Sequence, residues 1–539
     1  MTDNPSAPMD RRQFLALGSA AALQAVHGGA HAQAPWNAGQ VRHIIPTASH
    51  ERLLVKLSVA QPLARAPVLR AGGVQARGEP ADAAGRFWRF DLRGLAPQTR
   101  YLLQLTDATG ARLCDDWPLA TLPAPEARPT RLRILVYTCA GGYDAPALAG
   151  KSLWLDMAAR RRLLARGLAF APDVVIANGD HIYWDQKTAE NKPIPKAVIA
   201  RIRARFGGEL DLSVPMDHPR NRAIFTAVCD YQIPGLYGTA LRSTPSWFLT
   251  DDHDMFENDE FDDQVATLPV SDYGRVGAEL TQRMYYPEFL PDANRPAWLP
   301  GGDRSGMPEG ANGCFGTLRY GTLLETVLYD CRRYLDNKGR HARVVPQWVE
   351  NWLVARTQAE DTAHFMHVPS LPFGYSSGKL GDWYPDLLDE RAGHLTLGAA
   401  KDGWQPGWHA QHERLLDALA AQSRRSAVIV QGDFHASAAG RILASQGREL
   451  PHPVHTVMTG TLGTGDMGFP SAYRHVESAP SLTVRMDQAL PPVEKNGFTI
   501  IDVTPERLRF SLFTWRPPQD VAEIDTMQPT LVYEVPRPA

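Results

Sequence analysis

Cysteine is scarce in this 539-residue chain: Cys114, Cys139, Cys229, Cys314 and Cys331 are odd in number and widely spaced. Such a set excludes a disulfide framework, and unless one cysteine pairs between chains it leaves a thiol over as a candidate ligand. An excess of charge is missing too. A formal net charge of -3 offers no basic footprint for sequence-specific nucleic-acid binding, so any phosphate chemistry has to be local. After the N-terminal leader no segment is apolar enough to span a bilayer. What is there is ordinary for a globular protein, with 44% hydrophobic and 21% charged residues. The length exceeds one ordinary core and suits a large catalytic domain with a smaller module.

The leader carries Met9-Asp10-Arg11-Arg12-Gln13-Phe14-Leu15, then an Ala-rich apolar run to Val26, then Ala30-His31-Ala32, with no acidic residue from Arg11 to Gln33. Paired arginines before a short apolar region and small residues at a cleavage site predict a twin-arginine signal over residues 1–32. The mature chain is then expected in the periplasm or outside the cell, without a transmembrane span, and the twin-arginine machinery is a partner. That route carries folded proteins, often with a metal already inserted, which favours a metalloprotein.

From residue 40 to 122 short alternating runs such as Leu53 to Val59 and Phe87 to Leu92 are broken by Gly and Pro, the texture of strands and turns. Gly94-Leu95-Ala96-Pro97-Gln98-Thr99-Arg100-Tyr101 resembles the signature of fibronectin type III domains, whose Tyr closes a corner onto the backbone. A small all-β, fibronectin/Ig-like domain is predicted, followed by a Pro-rich linker at 123–130. Residues 131–539 then alternate strands with helices, an α/β layout. Buried strands are expected at Arg131 to Tyr137, Asp173 to Ala177, Trp247 to Leu249, Leu323 to Tyr329, Phe365-Met366, Ala427 to Val430 and Val454 to Met458. A helix is expected over Leu153 to Phe170, and a terminal hairpin from Phe498 to Val503 and Arg507 to Phe513. Long insertions at about 187–246, 255–313 and 370–408 are of the kind that wall a site.

Candidate ligands stand where strands stop: Cys139, then Asp180 and Tyr183, then Asp251-Asp252-His253-Asp254, then His367, then Asp433 and His435. Residues at C-terminal strand ends converge on one edge of a sheet. Singly each has a plain structural reading. Gly179-Asp180 can be an Asx turn, Cys139 a small buried hydrophobe, Tyr183 core, and His367 a core histidine with satisfied nitrogens. In this order together they point to a metal site.

The order resembles that of calcineurin-like metallophosphoesterases, with Thr138-Cys139-Ala140, Gly179-Asp180-His181-Ile182-Tyr183, Asp251-Asp252-His253-Asp254, His367-Val368-Pro369 and Gly432-Asp433-Phe434-His435 in their motif positions. The Cys, the Asp-Asp-His and the Gly-Asp-x-His resemble the PhoD-like alkaline phosphatase/phosphodiesterase branch, as does Asp330-Cys331-Arg332-Arg333-Tyr334. Departures are Ala140 for Gln, Trp184 for Glu, and Glu257-Asn258 for paired Asn.

The resemblance implies a four-layer metallophosphoesterase β-sandwich flanked by helices, with Fe3+ beside a divalent ion, Ca2+ by family likeness. Chemistry agrees on the first, since phenolate and thiolate are anionic donors that a highly charged ion stabilises and Mg2+ does not select. Cys139, Tyr183 and His435 are assigned to the first metal with Asp180 bridging; the second takes Asp252, Asp433, His367 and Asn258. His253 is the expected general acid or oxyanion stabiliser. Arg332 is a candidate phosphate clamp, with a solvated surface arginine, and Arg333 in its place, as the competing reading. The implied activity is hydrolysis of phosphomonoesters or phosphodiesters by metal-bound hydroxide. A phospholipase D-like diesterase is the runner-up, and a catalytically inert extracytoplasmic binding protein is the reading from another class.

Overall fold

Leu132–Thr138 and Val174–Asn178 are almost continuously apolar, as strands covered on both faces have to be, and they pair in parallel. The computed structural model describes residues 36–144, 152–184, 196–256, 272–302, 304, 306–379, 381–389, 393–473 and 475–538. Residues 1–35, with the expected export signal, and Asn258 lie outside the described residues.

Two mixed sheets make up the larger part of the chain. The first runs Ser246–Leu249, Val174–Asn178, Leu132–Thr138, Asn496–Thr504, Arg507–Trp515, Leu531–Pro536, with its first three strands parallel and the rest an antiparallel meander. The second runs Phe315–Tyr320, Leu324–Tyr329, His364–Pro369, Ser426–Gln431, Arg448–Met458, Ser437–Ser445, Val484–Val493. Helices Met157–Leu168 and Pro219–Tyr237 share an apolar core with the first sheet; Gln347–Gln358 and Pro406–Ala421 share one with the second. Polar bonds tie the two sheets where they meet, with Trp247 Nε1 donating to Thr317 O and Asn178 Nδ2 to Pro369 O.

The expected helix after the first strand is shorter than its periodic run. Asp156 caps it by accepting from Ala159 N, and the backbone of Leu155 is held instead by Gly463 O. Strands Phe315–Tyr320, Ser437–Ser445, Val484–Val493 and Leu531–Pro536 were not expected. Ser437–Ser445 is rich in small residues, and Gly440 lies where a Cβ would stand 2.7 Å from Asp487 O. Close approach of a neighbouring strand, invisible in the local pattern, makes it a strand.

Residues 41–120 form two four-stranded sheets, and Tyr101 Oη accepts a 2.7 Å bond from Ala96 N at the turn before its strand. This part is docked by polar groups. The buried Lys56 ammonium donates to Gln282 O, Arg283 O and Glu288 Oε1, and His43 Nε2 bonds Tyr285 O. Among the described residues no helix is long and apolar enough to cross a membrane. All five cysteines are buried and free.

Candidate metal centre

The strand-end loops carry backbone strain at four of the expected ligand positions. Among the described residues nine non-glycine residues have positive φ, and Cys139 (48°), Asp180 (57°), Asp433 (69°) and His435 (52°) are four of them. Each such conformation costs of order 1 kcal/mol or more and persists where surroundings over-determine it, commonly at functional sites. Two glycines make the loops possible. At Gly179, itself at φ 78°, a Cβ would lie 2.6 Å from Asp251 Cβ, and at Gly432 one would lie 2.3 Å from Thr138 Oγ1.

Asp254 ties two loops into one unit. Its carboxylate accepts from the backbone N–H groups of Asp180 (2.9 Å), His181 (2.8 Å), Ile182 (3.0 Å) and Asp251 (3.0 Å). Asp254→Ala leaves these buried donors without their acceptor, so a loss of roughly 3 kcal/mol or more in unfolding free energy is expected. Denaturant titration checks it; a loss under about 1 kcal/mol would show that the loops hold their shape without Asp254.

Around Asp180 the predicted first-metal ligands come together. Asp180 Oδ2 lies 3.3 Å from Cys139 Sγ and 3.0 Å from Tyr183 Oη, and Tyr183 Oη lies 3.2 Å from His435 Nε2. His435 Nδ1 is 2.6 Å from Gly468 O, so that nitrogen carries the proton and Nε2 is left as the donor atom toward the cluster. Burial first, and neighbouring carboxylates next, push the Cys139 thiol, the Asp180 carboxyl and the Tyr183 phenol well above their ordinary values. Three acidic groups packed in one dry pocket ionise together only around a cation. Asp180 Oδ1 is buried with no hydrogen-bond partner. Thiolate, phenolate and carboxylate together carry the charge that balances a trivalent ion, with His435 as neutral donor. These residues fit such an ion.

The other side of Asp180 is different. Asp251, Asp252 and Asp433 bring carboxylate oxygens within 4.8 Å of it, and His253 joins Asp180 and Asp252 in a further group of the same span. The His253 ring lies 4.1 Å from that of Tyr183. Two cations enter this acidic side. Arg332, 1% exposed, donates from Nε to Asp251 Oδ1 (2.8 Å), from Nη2 to Asp433 Oδ2 (3.3 Å) and from Nη1 to Gly381 O (3.3 Å). Lys379 Nζ donates to Asp433 Oδ1 at 2.7 Å and stands 3.6 Å from Asp252 Oδ2.

Set against the sequence expectations, Cys139, Asp180, Tyr183, His435, Asp252, Asp433, His253 and Arg332 are brought to one centre. His367 is not, and its assignment as a second-metal ligand is corrected. Its Nδ1 is 3.1 Å from Tyr329 Oη and its Nε2 2.9 Å from Thr357 Oγ1, so both nitrogens are used inside the core of the second sheet. The strand His364–Pro369 runs two residues past it, which leaves it within the sheet rather than at its edge. Arg332 is no surface arginine, and Arg333 turns away to Thr250 and Asp330. Trp184 is packing: its ring stacks on Phe256 at 4.8 Å.

Three participants were not foreseen. Asp254 was visible in Asp251-Asp252-His253-Asp254, but nothing local marks it as a backbone acceptor. Asp330 accepts from the N–H groups of Arg332 and Arg333 and from Thr250 Oγ1, and so aims Arg332. Lys379 stands in an irregular insertion, where no motif or periodicity marks it. In a separate group on Pro406–Ala421, His412 and Glu413 are closed into a hydrogen-bonded chain by Tyr384 and Ser445, and His409 Nε2 stands 3.7 Å from Glu413 Oε1.

The model of the PhoD-like phosphatase family matches residues 149–512. The solved structure of PhoD is similar to this chain at 14% identity and a TM-score of 0.58, covering 92% of this chain and 90% of its own. A purple acid phosphatase, PPD1, from yellow lupin (Lupinus luteus) seeds is similar at 12% identity and a TM-score of 0.52, covering 93% and 74%. At these identities the likeness speaks for the fold, a mixed α/β, sheet-rich one. No curated protein matches by sequence.

Proposed function

The chain belongs to the PhoD-like phosphatase family, metal-binding hydrolases of phosphoric esters, and on that premise we propose that it works with a ferric ion held by Cys139, Asp180, Tyr183 and His435. One observation carries the reading: three acidic donors of different kinds and one oriented imidazole converge in a buried pocket on strained backbone. Cys139, Asp180, Tyr183 and His435 would hold a trivalent ion there, which when bound would supply Lewis-acid polarisation of a phosphoryl oxygen and a nucleophile at neutral pH. The remaining tasks fall to the chain's own side chains.

His253 stands beside Tyr183 and Asp252 and is only partly buried, which suits a group that meets the substrate. It donates a proton to the leaving oxygen or stabilises its charge. Arg332 has its nitrogens on Asp251, Asp433 and a carbonyl, so it acts first as a positioning residue for the carboxylates. The two mixed sheets are read as the inner layers of a four-layer sandwich, and residues 40–122 as a fibronectin-like domain of their own. Residues 1–32 are read as a twin-arginine signal that places the mature enzyme in the periplasm or outside the cell.

Iron-loaded protein is expected to hydrolyse p-nitrophenyl phosphate, bis-p-nitrophenyl phosphate or both. Release of headgroup from phosphatidylcholine in the same series would identify a phospholipase D-like diesterase instead. No turnover of any of the three by metal-loaded protein sinks the hydrolytic reading.

A further inference from the structure

We propose that Lys379 is the second cation of this centre: its ammonium takes the place between Asp252 and Asp433 that a second metal ion would hold. The proposal rests on the ferric reading of the Cys139 cluster and narrows it to a chain that works with one tightly held ion.

The ligands expected for a second metal do not form an open cradle. Among the described residues expected for it, Asp252, Asp433 and His367, the histidine is spent in the core. Both carboxylate oxygens of Asp433 are engaged by cations, Oδ1 by Lys379 at 2.7 Å and Oδ2 by Arg332 at 3.3 Å. Asp252 Oδ2 faces the same ammonium at 3.6 Å, and Arg332 Nε holds Asp251. The three carboxylates on this side therefore meet two fixed positive charges.

Lys379 is well placed to stay. It is 8% exposed, and its ammonium lies 5.9 Å from the centre of the Phe434 ring. A divalent ion seated between Asp252 and Asp433 has to expel the ammonium from buried ion pairs or stand within roughly 4 Å of it, where like charges repel strongly in a dry site. A lysine also divides the chemistry differently from a second metal. It neutralises charge on a phosphoryl group and donates hydrogen bonds, but it does not activate water, so supply of the nucleophile stays with the Cys139 side.

The experiment uses full-length protein supplied with iron, comparing wild type with Lys379→Met, Lys379→Ala and Lys379→Arg. Metal content is measured by elemental analysis and Mn2+ affinity by calorimetric titration. Wild type is expected to retain one ion per chain after desalting and to bind further Mn2+ weakly. Lys379→Met and Lys379→Ala should each gain one Mn2+ site at least ~10-fold tighter, and Lys379→Arg, which keeps the charge, should behave as wild type. A wild type that binds a second ion tightly, with affinity unmoved in Lys379→Met and Lys379→Ala, overturns the proposal. The alanine variant carries the test if the methionine one fails to fold. Iron missing from every variant would count against the ferric reading, while the Mn2+ comparison would still decide for or against Lys379.

Discussion

Asp180→Asn is expected to lower turnover of phosphate esters by at least about a thousandfold, on the order of 4 kcal/mol in the barrier. Asp180 belongs to each acidic group of the centre, the one with Cys139 and His435 and the two with Asp252. Its Oδ2 touches both Cys139 and Tyr183, and its Oδ1 has no hydrogen-bond partner. An amide keeps the shape but cannot carry the negative charge that joins the two sides.

The same substitution should not unfold the metal-free chain. Burial and four neighbouring aspartates raise the Asp180 pKa well above its ordinary value. Between that ordinary value and the raised one the folded chain holds a proton that the unfolded chain has released. Stability contributed by this group is therefore complete below the ordinary carboxyl value and is lost as pH rises from there through the raised one. Asn has no proton to lose, so metal-free Asp180→Asn is expected to melt no lower than wild type at pH 7. Paired melts at pH 4 and pH 7 with chelator check it. A variant that is markedly less stable at both, or an enzyme that keeps a tenth of its activity, would remove Asp180 from the centre of the mechanism.

Tyr183→Phe has the second large expected effect, and a visible one. Tyr183 Oη sits 3.0 Å from Asp180 and 3.2 Å from His435 Nε2, while its ring packs against His253 and Trp154. Phe keeps the ring contacts and deletes the oxygen. A phenolate bound to ferric ion absorbs in the visible, so the variant should lose that band while its circular dichroism stays that of wild type. Iron affinity should fall by about 10- to 100-fold or more, as when a group supporting a metal is removed. An unchanged spectrum in iron-loaded Tyr183→Phe would falsify its role as a ligand.

Some of this is legible in the sequence. Buried parallel strands are continuous apolar runs, and a ligand placed just past such a run is carried to the sheet edge whatever the rest of the chain does. Cys139, Asp180 and Asp433 were found by that rule alone, with Tyr183 and His435 a few residues on. The rule overreached at His367, because a sequence shows where an apolar run ends but not how far pairing extends; here the strand continues to Pro369. Strand Val484–Val493 alternates half-exposed and exposed residues and gains its identity only from pairing with Ser437–Ser445.

Residue types alone carry the chemistry proposed for the first ion. A thiol, a phenol and a carboxyl at the ends of successive strands are acids that only a highly charged cation holds ionised together, and no distance was needed to say so. Tertiary structure alone brings forward the cation proposed for the second place. Lys379 lies 127 positions from Asp252 and 54 from Asp433 in the chain, within an irregular insertion with no periodicity to read. That it reaches Asp433 at 2.7 Å is a matter of how the loop folds back over the sheet edge. Local sequence sets which groups can ionise; only packing sets which charges meet.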